Sequence, residues 1–130
     1  MVNQCDTYER SPLYKACAGG VKAIAEFLLE KGADVNQCST DNKYPLYKAC
    51  EGGHTAIVEF LVDNGADINQ SDTNDKSPLY KAYEGGQTAI IKFLVEKEAD
   101  VNQCNTDNKS PLYKEFEGGH TAIAEYLLEK

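Results

Sequence analysis

Apolar residues in this chain occur in short runs of two kinds, separated by glycines and by polar stretches. In the first kind, Leu46, Ala49 and Cys50 recur at helical spacing after Pro45, and a pair of glycines then ends the run. Proline suits the first turn of a helix because its missing N–H would have no partner there. The pattern predicts a first helix of about two turns, which is too short to be stable without tertiary packing.

The second kind of run follows the glycine pair. Ile57, Phe60 and Leu61 have the i, i+3, i+4 spacing of a buried helical stripe. A glycine, Gly65, stands where a helix commonly ends in a left-handed conformation. We therefore predict a second helix over roughly residues 54–64.

A polar segment rich in Asn and Asp follows each second run, at residues 66–76 in this case. Short amide and carboxylate side chains bond to nearby backbone groups and tolerate positive φ, so such residues form turns. We predict a projecting turn here, called a finger below, that leads into the next pair of helices.

The whole pattern repeats with a period of 33 residues. The tetrapeptide Pro-Leu-Tyr-Lys begins at Pro12, Pro45, Pro78 and Pro111. Four units fill the chain, at about 2–34, 35–67, 68–100 and 101–130. A unit of this size cannot bury a core alone, so neighbouring units must stack. We expect one domain over residues 1–130.

Several features at this one period resemble the ankyrin repeat, whose marker is Thr-Pro-Leu-His-x-Ala. They are Ser/Tyr-Pro-Leu-Tyr-Lys-Ala, the double glycine, Ile-x-x-Phe-Leu and the closing Gly-Ala-Asp-Val/Ile-Asn. The resemblance covers all four units. It implies an all-α fold, an ankyrin-repeat solenoid of four helix-turn-helix units with projecting β-turn fingers. It also implies a non-enzymatic scaffold that binds proteins through its fingers and the concave face of its first helices.

Two positions around the first helix differ between units or from the family. A serine precedes the proline in three units and can cap the helix through its hydroxyl, whereas Tyr44 stands there in the second unit. Tyrosine replaces the histidine whose ring joins neighbouring turns in ankyrin repeats, so we expect a changed hydrogen-bond network. The serines are Ser11, Ser77 and Ser110, and the tyrosines are Tyr14, Tyr47, Tyr80 and Tyr113.

Two glycine positions of the family are also replaced. In the fingers, Asn42, Asp75 and Asn108 accept a left-handed conformation, whereas Glu9 does so poorly. Glu98 replaces the glycine that ends the second helix in the first two units. If the positive φ is kept, this replacement should cost about 1 kcal/mol.

The charge of the chain limits its partners. With 13 Lys+Arg against 21 Asp+Glu, the formal net charge is −8, which disfavours nucleic acid and anionic membranes. No apolar run approaches the ~18 residues of a membrane span, and no secretory pattern precedes the first unit. We expect a monomer that contacts neither nucleic acid nor membrane.

Five cysteines occupy two positions of the repeat, so most are separated by whole units. Equivalent residues of stacked helices lie roughly 8–10 Å apart, beyond the ~7 Å that a disulfide tolerates between Cα atoms. We expect reduced thiols and a cytoplasmic, reducing compartment. The cysteines are Cys5, Cys38, Cys104, Cys17 and Cys50.

Candidate chemistry is sparse. His54 and His120 open second helices, where a structural role is expected, and Cys50 is separated from His54 by the glycine turn. We therefore predict no catalytic residue, no cofactor and no metal site. The Asp- and Asn-rich fingers resemble half of a calcium loop, but its glycine and bidentate glutamate are missing. Turn formation is our interpretation, and weak calcium sites remain the minor alternative.

The best candidate for a binding surface consists of the fingers and a column of charges on the first helices. Because i and i+3 share a helix face, the Lys and Glu columns form either a self-neutralising ladder or a groove of alternating sign for a polar partner segment. The finger candidates are Tyr8, Arg10, Asp41, Lys43, Tyr44, Asn74, Lys76, Asp107 and Lys109. The column consists of Lys15, Lys48, Lys81 and Lys114 with Glu51, Glu84 and Glu117.

We predict an unidentified protein or peptide as the partner. The near-identity of the units also favours an alternative, a designed or consensus-type array that is stable but has no natural ligand.

Overall fold

The computed structural model describes residues 4–8, 10–37, 39–40 and 43–100. Over these residues the chain forms six helices and no strand, as three pairs that each consist of a front helix and a back helix. The front helices are α1 (Pro12–Gly19), α3 (Pro45–Gly52) and α5 (Pro78–Glu84). The back helices are α2 (Lys22–Glu30), α4 (Thr55–Asp63) and α6 (Thr88–Glu96). The predicted helix pairs are therefore confirmed for these residues.

The front helices begin at proline, as predicted, and two of them have the predicted serine cap. The hydroxyl of Ser11 accepts from the backbone N–H of Tyr14 at 3.0 Å, and that of Ser77 accepts from Tyr80 at 3.1 Å. Tyr44 makes no side-chain capping bond at the start of α3. Two of the three front helices therefore gain a stabilising bond that the middle one lacks.

The glycine pair allows a back helix to approach the preceding unit closely. Gly20 has φ 75°, and a Cβ added there would lie 2.6 Å from the His54 ring. The ring nitrogen Nε2 of His54 lies 3.4 Å from the carbonyl oxygen of Ala18. His54 therefore has the structural role predicted for it, because it packs against the turn of the preceding unit.

The back helices confirm the predicted stripe with one correction. Ile57 and Leu61 are buried in α4, but Phe60 is only half-buried. Val58 is fully buried, although the spacing rule did not select it. The buried residues of α4 are therefore Ile57, Val58 and Leu61, and the prediction was wrong for Phe60.

The positive φ values fall where the sequence predicts them. Gly32 and Gly65, after the ends of α2 and α4, have φ 92° and 93°. Glu98 keeps a positive φ of 67° at the equivalent position, and Asp75 has φ 58° in its finger. The left-handed conformation expected of Asp75 is confirmed, whereas Glu9, Asn42 and Asn108 lie outside the described residues.

Neighbouring units are joined by an apolar core and by asparagine side chains. The front helices stack on one another more extensively than the back helices do. Asn36 Oδ1 accepts from the backbone N–H of Asp67 at 2.9 Å, and Asn69 Oδ1 accepts from Asp100 at 2.9 Å. Asn36 also donates from Nδ2 to the carbonyl oxygen of Gly65 at 3.2 Å. The same hydrogen bond, from a backbone N–H of one unit to an asparagine Oδ1 of the preceding unit, therefore joins both pairs of neighbouring units.

The first unit leaves apolar side chains of α2 exposed. Ile24 is 50% exposed and Phe27 is 56% exposed, whereas the equivalent Ile57 and Ile90 are 2% and 1% exposed. The difference arises because Ile57 and Ile90 each face a preceding unit. No helix in the described ranges is both long and apolar enough to cross a membrane.

Candidate functional site

Each of the first three fingers is closed by a side chain near its start. In the first finger (residues 4–10), Asp6 Oδ1 accepts from the backbone N–H of Tyr8 at 2.9 Å and of Arg10 at 3.0 Å. Desolvation opposes ionisation of Asp6, but these two backbone bonds and the Arg10 guanidinium lower its pKa to about 2. The carboxylate is therefore held ionised as part of the turn.

The third finger (residues 70–76) is built in the same way. Asp72 Oδ1 accepts from the backbone N–H of Asn74 at 2.8 Å and of Lys76 at 3.0 Å. In the second finger (residues 37–43), Ser39 stands at the equivalent position, and its hydroxyl accepts from Lys43 at 3.4 Å. The predicted role of these polar side chains in turn formation is confirmed for Asp72.

A front-helix tyrosine binds the finger of the next unit. Tyr47 donates its hydroxyl to Asp72 Oδ2 at 2.7 Å, and both side chains are buried. Burial raises the pKa of Tyr47, and the bond to the Asp72 carboxylate raises it further. No such bond joins Tyr14 to Ser39 in the preceding unit pair. At Tyr47 the tyrosine hydroxyl therefore joins α3 to the finger of the next unit.

In the three front helices that the structure describes, the predicted column of charges is paired. Lys48 forms an ion pair with Glu51. Lys81 lies 2.8 Å from Glu84 and 3.6 Å from Glu51 of the preceding unit. Desolvation disfavours the charged form of each of these groups. Hydrogen bonds and charge attraction between them outweigh it, so the pKa of Lys81 is raised and the pKa values of Glu51 and Glu84 are lowered. This arrangement matches the self-neutralising ladder.

Cations and tyrosine rings alternate along the same surface. Lys48 Nζ lies 5.7 Å from the centre of the Tyr14 ring. The Tyr47 ring is approached by Lys43 at 5.9 Å and by Lys81 at 5.8 Å. These distances are within the range of cation–π attraction. The aromatic rings therefore help to hold the lysine side chains in place.

Two recesses lie between successive fingers at equivalent positions. The first has a volume of about 230 Å³ and is lined by Tyr8, Arg10, Tyr14, Ser39 and Thr40. The second has a volume of about 300 Å³, and its lining includes Lys43, Tyr47, Asp72, Thr73 and Lys81. Both recesses combine a basic finger residue, a front-helix tyrosine and the start of the next finger. We call them the first and second finger pockets.

The structure brings together most of the predicted surface residues that it describes. Lys43, Asn74 and Lys76 line the second finger pocket with Glu51 and Lys81, and Tyr8 and Arg10 line the first. Lys15 pairs with Asp6 at 3.3 Å, and Glu84 accepts from Lys76 at 3.4 Å. Tyr44 is half-buried before α3. Asp41, Asp107, Lys109, Lys114 and Glu117 lie outside the described residues.

Sequence reasoning did not place Tyr14 and Tyr47 in the binding surface, although both line pockets. A signal was present, because the tyrosines recur at the period of the charged column and one position before each lysine. They were instead interpreted as replacements of a structural histidine.

Cys50 has an environment that suppresses thiol reactivity. It is fully buried, and burial raises its pKa, the opposite of what a nucleophilic thiolate requires. Cys5, Cys17 and Cys50 are not joined in disulfides within the described residues. In the described part of the chain, no group of three or more His, Cys, Asp or Glu side chains is placed to hold a metal ion.

Comparison with known proteins yields one family. The family model described as ankyrin repeats (3 copies) matches residues 1–72 and again residues 67–130. No match was found among curated proteins. Ankyrin repeats generally act as scaffolds for protein interactions. The matched residues, together with the stacked helix pairs and fingers described above, show that this chain belongs to the ankyrin repeat family.

Proposed function

We propose that the chain is a non-enzymatic protein-binding scaffold whose partner contacts the fingers and the front helices. The observation that carries this proposal is the pair of equivalent finger pockets, which are recessed, polar and lined by aromatic and basic side chains. Tyrosine and arginine are enriched in protein contact surfaces, and the exposed Tyr8 beside Arg10 fits that preference.

The fingers are suited to this role because their conformation is fixed before a partner binds. Asp6 and Asp72 close their turns, and Tyr47 ties the third finger to α3. A pre-organised surface loses less conformational entropy on binding than a mobile loop does. Binding energy is then available for contacts made by the pocket side chains.

The experiment compares capture of proteins from a cell lysate by two matched variants. Lys43→Ala with Lys76→Ala changes the finger surface, whereas Lys92→Ala with Glu59→Ala changes exposed residues of the back helices. We expect the finger variant to lose the captured partner and the back variant to keep it. Circular dichroism controls for folding, and crosslinking with mass spectrometry maps the contact. Capture that depends on the back residues would contradict the proposal.

The near-identity of the units supports the competing proposal of a designed or consensus-type array without a natural ligand. That proposal predicts no partner captured through the fingers. For the setting of the protein, we propose a monomer in the cytoplasm, since the buried thiols of Cys17 and Cys50 fit a reducing compartment. Light scattering coupled to size-exclusion chromatography tests the oligomeric state.

A further inference from the structure

The tyrosine of the first front helix lacks the hydrogen bond that its equivalent in the second unit makes. Tyr47 donates its hydroxyl to Asp72 at the start of the next finger. Within the described residues, no group accepts from the hydroxyl of Tyr14, although its side chain is only 8% exposed. An unpaired hydroxyl at this depth costs free energy, which a bound acceptor would recover.

The residue at the start of the second finger accounts for the difference. Ser39 stands at the position equivalent to Asp72, but its side chain is shorter and has no carboxylate. It is buried, and its hydroxyl accepts from the backbone N–H of Lys43 at 3.4 Å. Tyr14 and Ser39 both line the first finger pocket, which has a volume of about 230 Å³. A ligand that enters this pocket can therefore supply the acceptor that Ser39 does not.

The charges around the first finger pocket are already paired with one another. Arg10 lies 2.8 Å from Asp6, and Asp6 also pairs with Lys15 at 3.3 Å. Lys48, which lies over the Tyr14 ring, pairs with Glu51. A charged ligand would have to break one of these pairs or be desolvated without a counter-charge, and both are costly. The ligand that fits the pocket is therefore uncharged.

The pocket offers a neutral ligand both kinds of hydrogen bond. The Tyr14 hydroxyl can donate, and the hydroxyl oxygens of Ser39 and Thr40 can accept. A side-chain amide has a carbonyl acceptor and an NH₂ donor, so it can use both at once. The exposed ring of Tyr8 also lines the pocket and offers apolar surface to methylene groups. Glutamine combines the amide with such an apolar stem.

We propose that the first finger pocket binds the side-chain amide of a glutamine in the partner protein. Its carbonyl accepts from the Tyr14 hydroxyl, as the Asp72 carboxylate does from Tyr47, and its NH₂ group donates to Ser39 or Thr40. The second finger pocket does not bind this group in the same way, because its tyrosine hydroxyl is already engaged. This inference rests on the proposed function, since it names the group that the same surface recognises.

The test uses three tripeptides with blocked ends, in which the central residue between two glycines is glutamine, glutamate or methionine. Each is titrated into the full chain labelled with ¹⁵N, and dissociation constants come from the amide shifts of Tyr8 and Thr40. We expect the glutamine peptide to bind about three- to tenfold more tightly than either control, the range of one hydrogen bond between neutral groups. The amides of Thr73 and Asn74 in the second finger pocket are the internal control and should shift much less.

Two variants separate the Tyr14 hydroxyl from other contacts. Tyr14→Phe keeps the ring and should make the glutamine and methionine peptides bind equally. Ser39→Asp supplies a carboxylate within the chain, which the finger N–H groups would stabilise as they do for Asp72. It should raise the urea midpoint and weaken binding of the glutamine peptide, and adding Tyr14→Phe should remove the gain in the midpoint.

Equal affinity of the unaltered chain for the glutamine and methionine peptides overturns the inference. Tighter binding of the glutamate peptide overturns it as well, and so does a preference for glutamine that survives Tyr14→Phe. Absence of shifts in the first finger pocket at about 20 mM of the glutamine peptide also contradicts it. If lysate partners still depend on the fingers in that case, the scaffold function stands and only the recognised group is wrong.

Discussion

At the scale of single residues, the positive φ of Glu98 is a source of backbone strain that can be tested by mutation. Glu98 has φ 67° at the position where the preceding units have glycine with φ 92° and 93°. A side chain is strained in this region, because its Cβ crowds the neighbouring carbonyl oxygen. Asp75 has a similar φ, but the short carboxylate of aspartate bonds to nearby backbone groups and tolerates the left-handed conformation better than glutamate does. Glu98 is therefore the clearer case of strain.

Replacing Glu98 with glycine should increase the free energy of unfolding by roughly 0.5–1 kcal/mol, as the strain is removed. Urea denaturation midpoints provide the measurement. The matched control is Gly65→Ala, where an added Cβ meets nothing within 4 Å, so that only backbone strain changes. It should lower the free energy of unfolding by a similar amount. A lowered midpoint for Glu98→Gly would show that Glu98 makes a compensating contact.

The cysteines should differ in reactivity according to burial. Cys17 is fully buried and its pKa is raised to about 12 by burial, whereas Cys5 is partly exposed. Since the thiolate is the reactive form, iodoacetamide should modify Cys5 in the native protein much faster than Cys17 or Cys50. Peptide mapping by mass spectrometry measures this order. After unfolding without reductant, five modified thiols are expected, and fewer would indicate a disulfide.

At the scale of elements, the link between a front helix and the next finger varies along the chain. Tyr47 reaches Asp72, whereas Tyr14 meets the shorter Ser39 and forms no bond with it. A buried hydrogen bond to a carboxylate contributes more than a bond between neutral groups. The third finger is therefore held to its neighbouring unit more strongly than the second finger is.

Tyr47→Phe should lower the free energy of unfolding by about 1.5–3 kcal/mol, because it leaves the Asp72 carboxylate without the hydroxyl donor. The matched change Tyr14→Phe removes no such bond and should cost less than about 0.5 kcal/mol. Urea denaturation of both variants gives the comparison. Equal losses in the two variants would contradict the assignment of stability to this bond.

The start of α3 lacks the side-chain capping bond that the other front helices have, and the contribution of that bond to stability can be measured. Ser11 and Ser77 cap the other front helices, and Tyr44 supplies no side-chain cap. Tyr44→Ser should raise the free energy of unfolding by about 1 kcal/mol if the cap dominates. The reverse exchange, Ser77→Tyr, should lower it by a similar amount. Thermal unfolding monitored by circular dichroism measures both, and a loss of stability in Tyr44→Ser would refute the capping argument.

The sequence predicted the helices well because proline, serine and glycine mark their ends by local chemistry. The predicted range 54–64 differs from α4 (Thr55–Asp63) by one residue at each end, where His54 and Asn64 are cap residues. The pairing of Tyr47 with Asp72 was not predictable in this way. It joins residues 25 positions apart through the geometry of stacked units, which the repeat period alone does not specify. The pockets depend on the same geometry.

At the scale of the whole molecule, burial is unequal along the array. Ile24 and Phe27 of the first unit are half-exposed, whereas Ile57 and Ile90 are buried against preceding units. In repeat proteins the free energy of unfolding is approximately a sum of unit and interface contributions. The first unit has only one such interface within the described residues. It should therefore open more readily than the second unit.

Truncation of the equivalent isoleucines measures this difference. Ile57→Ala should lower the free energy of unfolding by about 2–5 kcal/mol, the range for a buried aliphatic side chain. Ile24→Ala should cost less than about 1 kcal/mol, because half of the side chain is already in water. Urea denaturation provides both values. Equal costs would mean that the exposed face of α2 is covered in solution.

The identical asparagine junctions have a consequence for how the gene can change. Asn36 and Asn69 bind the next unit through the same atoms at the same distance of 2.9 Å. Unequal recombination that removes the codons for residues 37–69 would let Asn36 take over the bond to Asp100. It would also place Tyr14 opposite Asp72, the partner that Tyr47 now has. Deletion of one whole 33-residue unit would thus keep the hydrogen bonds between the units that become neighbours. The number of units can therefore vary without the evolution of a new interface.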